Sequence, residues 1–410
     1  MSNPIENRHS LTKILLFLIS PLLGLIAALK NINTRSSFVV FFLFALTFGF
    51  SLETSIGKDD VHRGDAAAYR ARFEIQKYYT QNDLSNVFDE YQSFENEKER
   101  ELYIPIMSYI TAKVSDNYHV FFMLLACVFS LFMLKSLKFL VAEEAFTQSF
   151  ACLLLLFLFI RSNGIFNING ARFWTASWIA IYSLFQVLRN DNKRYLVLLA
   201  VTPMIHASYW FLLAIVGIYY IAGKFKHFWK LAFFVSFILA IFAMQLIIDL
   251  SNYLPPTLQF LVNRYTDDDI EIKTNLYQLI RRFFNTAYSI YIVYIMYLFM
   301  KHDDCIEKNS KTRNIYRFML VMMSIVNFVM LIPSLGSRYY IVCMPFIAYL
   351  WLVTFESSHQ YRNVLKWLPV ISIMLLYERY MDYTAHSVSM SFYYSSPLYL
   401  VYKYLIIGVA

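Results

Sequence analysis

The chain has 410 residues, of which 58% are hydrophobic, 19% aromatic and only 16% charged, and its mean hydropathy is +0.47. Soluble domains carry about a quarter charged residues, and a water-facing fold of this length cannot enclose so much apolar surface. Lysine and arginine number 36 against 28 aspartate and glutamate, and the cations lie in short clusters between apolar runs. This distribution is typical of a membrane protein and gives no indication of nucleic-acid binding.

Apolar runs follow one another along the whole chain, and each is a predicted helix. They occupy residues 14–29, 38–52, 118–134, 149–160, 173–188, 195–205, 207–222, 231–249, 279–300, 316–333, 339–356, 367–377 and 392–408. A transmembrane helix needs about 20 apolar residues, so the shorter runs must include flanking polar residues, kink or re-enter. We therefore predict an all-α polytopic membrane protein with about 11 to 13 transmembrane helices, in which residues 1–410 form a single membrane domain.

The cationic clusters predict the orientation, because cytoplasmic loops of membrane proteins are enriched in lysine and arginine. The intervening segments are then predicted to lie outside, and the two longest are residues 53–102 and 250–278. This assignment also predicts that the N-terminus lies outside. Within residues 53–102, the stretch AAAYRARFEIQKYY has the pattern of an amphipathic helix.

Several kinds of chemistry have no support in the sequence. There is no glycine motif for a dinucleotide or a phosphate loop, no metal-ligand spacing, and the four cysteines are scattered. We predict neither a metal nor a cofactor. Carboxylates are nearly absent from the middle of the apolar runs, which argues against an ion-coupled transporter.

The predicted outer face carries five arginines. Arg161 and Arg172 bracket the segment RSNGIFNINGAR, Arg281 and Arg282 open an apolar run, and Arg338 follows a glycine at the outer end of another. The arginine fork binds phosphate oxygens at two points and remains charged at any biological pH. Each arginine alone could simply extend toward lipid headgroups. The five together, on the face with fewer cations, favour an anionic ligand.

Two residues on this face are candidate proton acceptors. His206 lies between two short apolar runs in VTPMIHASYW, where it is either a general base or a structural hydrogen-bonding residue. Asp65, in HRGDAAAYRARF, is either a helix N-cap or a functional carboxylate, with Tyr69 on the same helical face. Trp174 and Trp210 stand close to Arg172 and His206 and are candidates for stacking on a sugar ring, although most aromatics here are core residues.

Taken in order, these segments resemble the EpsG family of polysaccharide biosynthesis membrane proteins, which is akin to the Wzy-type O-antigen polymerases. The matching motifs are GDAAAYRARF, NGARFWTASWIA with Asn169 and Arg172, IHASYW, and SRYYIVCMPF. The family commonly has glutamine after the arginine, where this chain has Phe173.

The resemblance implies a polymerase at the outer face of a bacterial plasma membrane. Such an enzyme transfers a glycan from its undecaprenyl pyrophosphate carrier to a sugar hydroxyl of another lipid-linked repeat unit. Its expected partners are this lipid-linked oligosaccharide and membrane lipid, and a chain-length regulator is left open as a third. The alternatives are a flippase for lipid-linked oligosaccharides and an O-antigen ligase, which shares the arginine and histidine chemistry.

Overall fold

The computed structural model describes residues 4–54, 65–93, 101–161, 163–251, 253, 276–332, 335–355, 359–373, 376–377, 388 and 391–407. The described backbone is almost entirely helical, and its one strand-like pairing is an isolated antiparallel bridge between Leu52 and Val388. The central part of the predicted 250–278 loop lies outside the described residues.

The helices are α1 (Pro4–Ile19), α2 (Pro21–Leu29), α3 (Arg35–Phe50), α4 (Asp65–Gln76), α5 (Gln81–Ser93), α6 (Tyr103–Ala112), α7 (Tyr118–Val141), α8 (Phe150–Arg161), α9 (Ala171–Leu188), α10 (Tyr195–Ala200), α11 (Thr202–Ile205), α12 (Tyr209–Ala222), α13 (Lys226–Ser251), α14 (Leu276–Lys301), α15 (Asp303–Lys308), α16 (Ser310–Phe328), α17 (Leu335–Phe355), α18 (His359–Leu365), α19 (Leu368–Ile371), α20 (Ser391–Tyr394) and α21 (Pro397–Val401). A 3₁₀-helix over Ile165–Gly170 precedes α9, and a π-helix over Tyr402–Ile407 follows α21.

Five helical segments of the described chain are long and apolar enough to cross a membrane, namely Tyr118–Val141, Phe150–Leu188, Lys226–Ala243, Phe283–Lys301 and Leu335–Phe355. Shorter apolar helices, including Arg35–Phe50 and Tyr209–Ala222, lie between them in the sequence. The structure therefore confirms the predicted all-α polytopic membrane fold.

The first apolar run is a helical hairpin and not one crossing helix. Ser20 adopts an extended conformation between α1 and α2, and Pro21 begins the second helix. A Cβ atom on Gly24 would lie 2.7 Å from the Cα of Phe17, so the two short helices pack with their backbones in near contact. Only glycine allows this approach.

The hairpin brings the start of the chain back to the predicted cytoplasmic end. Lys13 Nζ lies 2.8 Å from both Thr34 Oγ1 and Ser37 Oγ, beside the segment that contains Lys30 and Arg35. The prediction that the N-terminus lies outside therefore depends on a crossing that the structure does not show, and the side on which it lies stays a prediction. It treated residues 14–29 as one crossing, whereas the chain reverses at Ser20.

Helix α9 separates two polar clusters at opposite ends of the bundle. Its 18 residues span about 27 Å, close to the thickness of a bilayer core. At its C-terminal end, Glu143 accepts hydrogen bonds from Arg189, from Tyr349 at 2.8 Å and from Lys311 at 3.0 Å. Burial raises the pKa of Glu143, but these hydrogen bonds outweigh burial and hold the pKa below its usual value. This cluster joins the C-terminal ends of α7 and α9 to α16 and α17. It lies at the end of the bundle with the cationic loops, the lysine-rich end.

Helices α4, α5 and α6 cover the opposite end of the bundle. Helix α4 coincides with the amphipathic stretch predicted from the sequence. The Phe73 ring stacks on Phe121 of α7, with ring centroids 4.8 Å apart. The Leu102 N–H donates to the carbonyl of Met204 over 2.8 Å. These contacts place the end of the 53–102 segment directly over the turn that contains His206.

Candidate active site

An asparagine network shapes the approach to α9. The side chain of Asn163 donates to the Trp174 carbonyl at 3.1 Å, and the Asn163 carbonyl accepts from the Trp178 indole at 3.0 Å. Asn167 donates to the Asn163 side chain at 3.1 Å. Because these groups are buried and mutually bonded, Asn163 and Asn167 are held against the start of α9, whose first turn contains Arg172.

Arg172 is held by Tyr69 and Glu101, two residues of the 53–102 segment that covers this end of the bundle. Its Nη1 donates to Glu101 Oε2 at 2.5 Å, and its Nε donates to the Tyr69 hydroxyl at 3.1 Å. Burial, partly opposed by the positive charge of Arg172, raises the pKa of Tyr69 to about 12. Tyr69 therefore stays neutral and accepts a hydrogen bond from the guanidinium.

His206 lies in the turn between α11 and α12. Its Nδ1 is 2.8 Å from Ser208 Oγ and accepts the Ser208 backbone N–H at 3.3 Å. Its Nε2 is 3.8 Å from Glu101 Oε1, the oxygen that also accepts the Ala207 N–H at 3.3 Å. Arg172 and His206 thus converge on opposite oxygens of one carboxylate.

Phe173 forms an aromatic wall beside this carboxylate. Its ring stands perpendicular to His206 with centroids 5.3 Å apart, and the Arg338 guanidinium lies 5.2 Å from its centroid. The Tyr339 hydroxyl donates to the Ser208 carbonyl at 2.6 Å, which ties the start of α17 to the histidine turn. Phe173 therefore occupies the centre of the site at the position where glutamine is common in the resembling family.

The charges around His206 oppose one another. Burial lowers the pKa of His206 to about 4; Glu101 opposes this shift, while Arg172 and Arg338 add to it. The imidazole is consequently neutral at physiological pH. In the described part of the chain, no carboxylate contacts the guanidinium of Arg338, whereas that of Arg172 is paired with Glu101.

Asp65 borders the same site from the first turn of α4. Its Oδ2 lies 3.6 Å from the position that a Cβ on Gly170 would occupy, and Trp174 Cδ1 lies 2.9 Å from that position. Asp65 also interacts electrostatically with His206. The structure thus brings together the predicted residues Asp65, Tyr69, Arg172, Trp174, His206 and Arg338.

The remaining predicted arginines are Arg161, Arg281 and Arg282. Arg161 lies over the ring of Tyr288 in α14, with its Cζ 4.4 Å from the ring centroid. Arg281 and Arg282 belong to α14, and their side chains lie outside the described part of the structure. Their predicted roles in phosphate binding stay predictions.

The predicted roles of two further residues, Asn169 and Trp210, stay predictions. Asn169 lies half-buried in the 3₁₀-helix. Trp210 is 49% exposed on the first turn of α12, so it is an interfacial residue in this arrangement.

Sequence reasoning missed Glu101, Ser208 and Tyr339. Glu101 ends a long charged segment, where neither periodicity nor a motif distinguishes it from its neighbours. Ser208 and Tyr339 each lie within two residues of a predicted residue, so their proximity to His206 and Arg338 was the available signal. Among the described residues, no group of three or more His, Cys, Asp or Glu is arranged to hold a metal ion.

Comparison with known proteins identifies the family of this chain. Residues 36–396 match the model of the EpsG family, and this match includes every segment that lines the site. Comparisons with curated proteins and with solved structures give no significant match. Because the family model covers most of the chain, the chain belongs to the EpsG family.

Proposed function

We propose that this protein is a lipid-linked glycan polymerase at the outer face of a bacterial plasma membrane. It transfers a glycan from undecaprenyl pyrophosphate to a sugar hydroxyl of another lipid-linked repeat unit. Family membership supports a role in polysaccharide polymerisation in general terms. One observation carries the specific proposal. Arg172, Arg338, His206 and Glu101 converge at the end of the bundle opposite the lysine-rich end.

The leaving group of this reaction is a pyrophosphate, on whose oxygens negative charge develops as the glycosidic bond breaks. Guanidinium groups fixed before the reaction stabilise such charge without further reorganisation. Arg338 is half-buried over Phe173 and has no carboxylate contact in the described chain, so its fork is available to phosphate oxygens. Arg172 becomes available when a phosphate replaces Glu101 as its partner.

The attacking sugar hydroxyl must lose a proton. Three titratable side chains, His206, Asp65 and Glu101, lie at the junction of α4, α9 and the histidine turn. Beside the Phe173 wall and under the cover formed by α4 and α6, the side chains of His206 and Glu101 are only 15% and 11% exposed, and such burial strengthens electrostatic interactions. The lipid donor supplies the activated sugar, so the reaction as proposed requires no nucleotide-binding fold.

The distribution of charge argues against a flippase. A flippase needs a polar path through the full depth of the membrane, but no charged residue occurs in the sequence between Arg172 and Arg189. Along this stretch of α9, Thr175, Trp178 and Phe185 are completely buried. The charged groups therefore lie at the ends of the helix, as expected for chemistry at one surface.

The proposal is tested with purified protein in liposomes and one defined lipid-linked repeat unit as both donor and acceptor. A polymerase converts this substrate into a ladder of oligomers that differ by one repeat unit. A ligase leaves it unchanged until a different acceptor, such as a lipid A core, is added. A flippase changes only its leaflet, and either of these last two results contradicts the proposal.

A further inference from the structure

The carboxylate of Glu101 lies between the side chains of Arg172 and His206. The Glu101 side chain is 11% exposed, and its Oε2 accepts from Arg172 while its Oε1 accepts from Ala207 and faces His206. A carboxylate offers about four acceptor positions, of which two are used here. Glu101 can therefore accept a further hydrogen bond from a substrate hydroxyl.

The contacts of His206 define which of its nitrogens carries the proton. The backbone N–H of Ser208 points to Nδ1, and a backbone N–H can only donate. Nδ1 is therefore the acceptor, and the neutral ring carries its proton on Nε2. In this tautomer, Nε2–H faces the site as a hydrogen-bond donor and has no lone pair for a substrate proton.

The distance between Nε2 of His206 and Oε1 of Glu101 is 3.8 Å, which is longer than a hydrogen bond. Both atoms consequently remain able to bond to a ligand placed beside them. Burial lowers the pKa of His206 to about 4, so the ring is a weak base near neutral pH. Donor and acceptor roles are thus divided between these two residues.

We propose that Glu101 is the general base of this site and that His206 acts as a neutral hydrogen-bond donor through Nε2. This inference rests on the proposed function and adds a catalytic residue to it. The acceptor sugar hydroxyl transfers its proton to a Glu101 oxygen as its own oxygen attacks the anomeric carbon of the donor. The bond from that carbon to the phosphate oxygen breaks, and undecaprenyl pyrophosphate leaves with the electron pair. Glu101 then returns the proton to water at the outer face.

The same geometry gives Arg172 two successive partners. Its Nη1 is bonded to the carboxylate of Glu101, which carries a negative charge as a phosphate does. Binding of the donor replaces this carboxylate by phosphate oxygens and frees Glu101 to face the acceptor hydroxyl. Donor binding therefore releases Glu101 from Arg172 so that it can act as the base. This limits proton abstraction in the absence of donor.

The test compares Glu101→Gln with Glu74→Gln, which makes the same change of charge in the same covering segment. Glu74 pairs with Lys77 at 2.6 Å on α4, outside the site described above. We expect Glu101→Gln to bind the fluorescently labelled lipid-linked donor as wild type does but to elongate at least about a hundredfold more slowly, as for loss of a general base. Glu74→Gln should elongate at the wild-type rate. Wild-type elongation by Glu101→Gln, or a loss of donor binding that accounts for its slower rate, would overturn the inference.

A second variant covers the case in which Glu101→Gln does not fold. Glu101→Ala creates room for a small carboxylate, and added formate should restore part of its elongation rate if the missing group is a proton acceptor. A purely structural carboxylate would not be replaced in this way, so absence of rescue would overturn the inference. The wild-type ladder is measured in the same experiment. If wild type makes no ladder, the proposed function itself has failed; if wild type makes one and formate does not rescue, only the role of Glu101 has failed.

Discussion

Lys13 and Ser37 are joined by a hydrogen bond of 2.8 Å between Nζ and Oγ, across 24 positions of sequence. The contact fixes both ends of the α1–α2 hairpin at one end of the bundle. Lys13 is only 5% exposed, and among the described residues its ammonium is bonded to hydroxyl groups and the Asn31 carbonyl and not to a carboxylate. Because a buried cation needs such partners, the contact also fixes how α1 and α2 pack against α3.

The hairpin predicts that the start of α1 and the α2–α3 turn lie on the cytoplasmic side. A membrane-impermeant thiol reagent on intact cells should label Asn82→Cys and leave Leu11→Cys and Asn33→Cys unlabelled. The native Cys305 is exposed at the lysine-rich end and should react only after permeabilisation. Labelling of Cys305 in intact cells would invert the topology and remove the outer-face site.

Arg338 should contribute more to donor binding than to folding. Arg338→Lys keeps the charge but loses the two-point fork, so we expect weaker donor binding and slower elongation with normal abundance in the membrane. Arg172→Lys should show the same loss of elongation, because the ammonium of lysine cannot offer a phosphate the two-point geometry of the guanidinium. The matched control is Arg194→Lys, which makes the same change at an exposed position at the lysine-rich end, away from the site. Full-length polymer from both site variants would refute two-point phosphate recognition.

Substitution of the candidate proton acceptors should give a defined order of rates. His206→Gln retains an N–H donor and should slow elongation less than Glu101→Gln. Asp65→Asn should have the smallest effect, because Asp65 lies at the edge of the site near Gly170. These rates are measured by timed sampling of the oligomer ladder. If His206→Gln is the slowest and Glu101→Gln is near normal, His206 is the base, as the sequence alone suggested.

Stability should depend on pH through His206. The unfolded histidine has its usual pKa of 6.5 and the folded one a pKa of about 4, so the unfolded state binds more protons between these values. The free energy of unfolding should therefore fall as the pH is lowered from 6.5 toward 4. His206→Gln should lose part of this dependence, which thermal unfolding of the detergent-solubilised proteins at several pH values will reveal. Equal pH dependence of the two proteins would contradict the buried neutral histidine.

Glu143 should stabilise the lysine-rich end of the bundle without affecting chemistry. Glu143→Gln removes a charged acceptor shared by Arg189, Lys311 and Tyr349, so we expect a loss of about 1–3 kcal/mol in the free energy of unfolding. Elongation per folded molecule should match wild type, since α9 separates this cluster from the site. Denaturant unfolding and the ladder assay measure the two effects. A selective loss of elongation would show that the two ends are coupled.

The general fold could be predicted from the sequence because long apolar runs indicate helices that cross a membrane. The hairpin of residues 14–29 was missed, although Ser20–Pro21 and Gly24 carried a signal. Sequence patterns also singled out Arg172, His206 and Arg338, which the structure brings together, because arginine and histidine are uncommon beside apolar helices.

Glu101 could not be predicted in the same way. Its role depends on α4 and α6 folding back over the bundle, and such long-range packing leaves no periodic signal in a single sequence. Phe173 illustrates a related limit. The departure from the family's usual glutamine was visible in the sequence, but its position between His206 and Arg338 required the structure.

The central claim is tested most directly by the stoichiometry of lipid release. Purified wild-type protein in liposomes is given one lipid-linked repeat unit, and undecaprenyl pyrophosphate and oligomer linkages are quantified in the same samples. The mechanism predicts one undecaprenyl pyrophosphate released for each new glycosidic linkage, with both products reduced together in Glu101→Gln. Release of the lipid pyrophosphate without new linkages would indicate hydrolysis, and linkages formed without its release would contradict transfer from the pyrophosphate carrier.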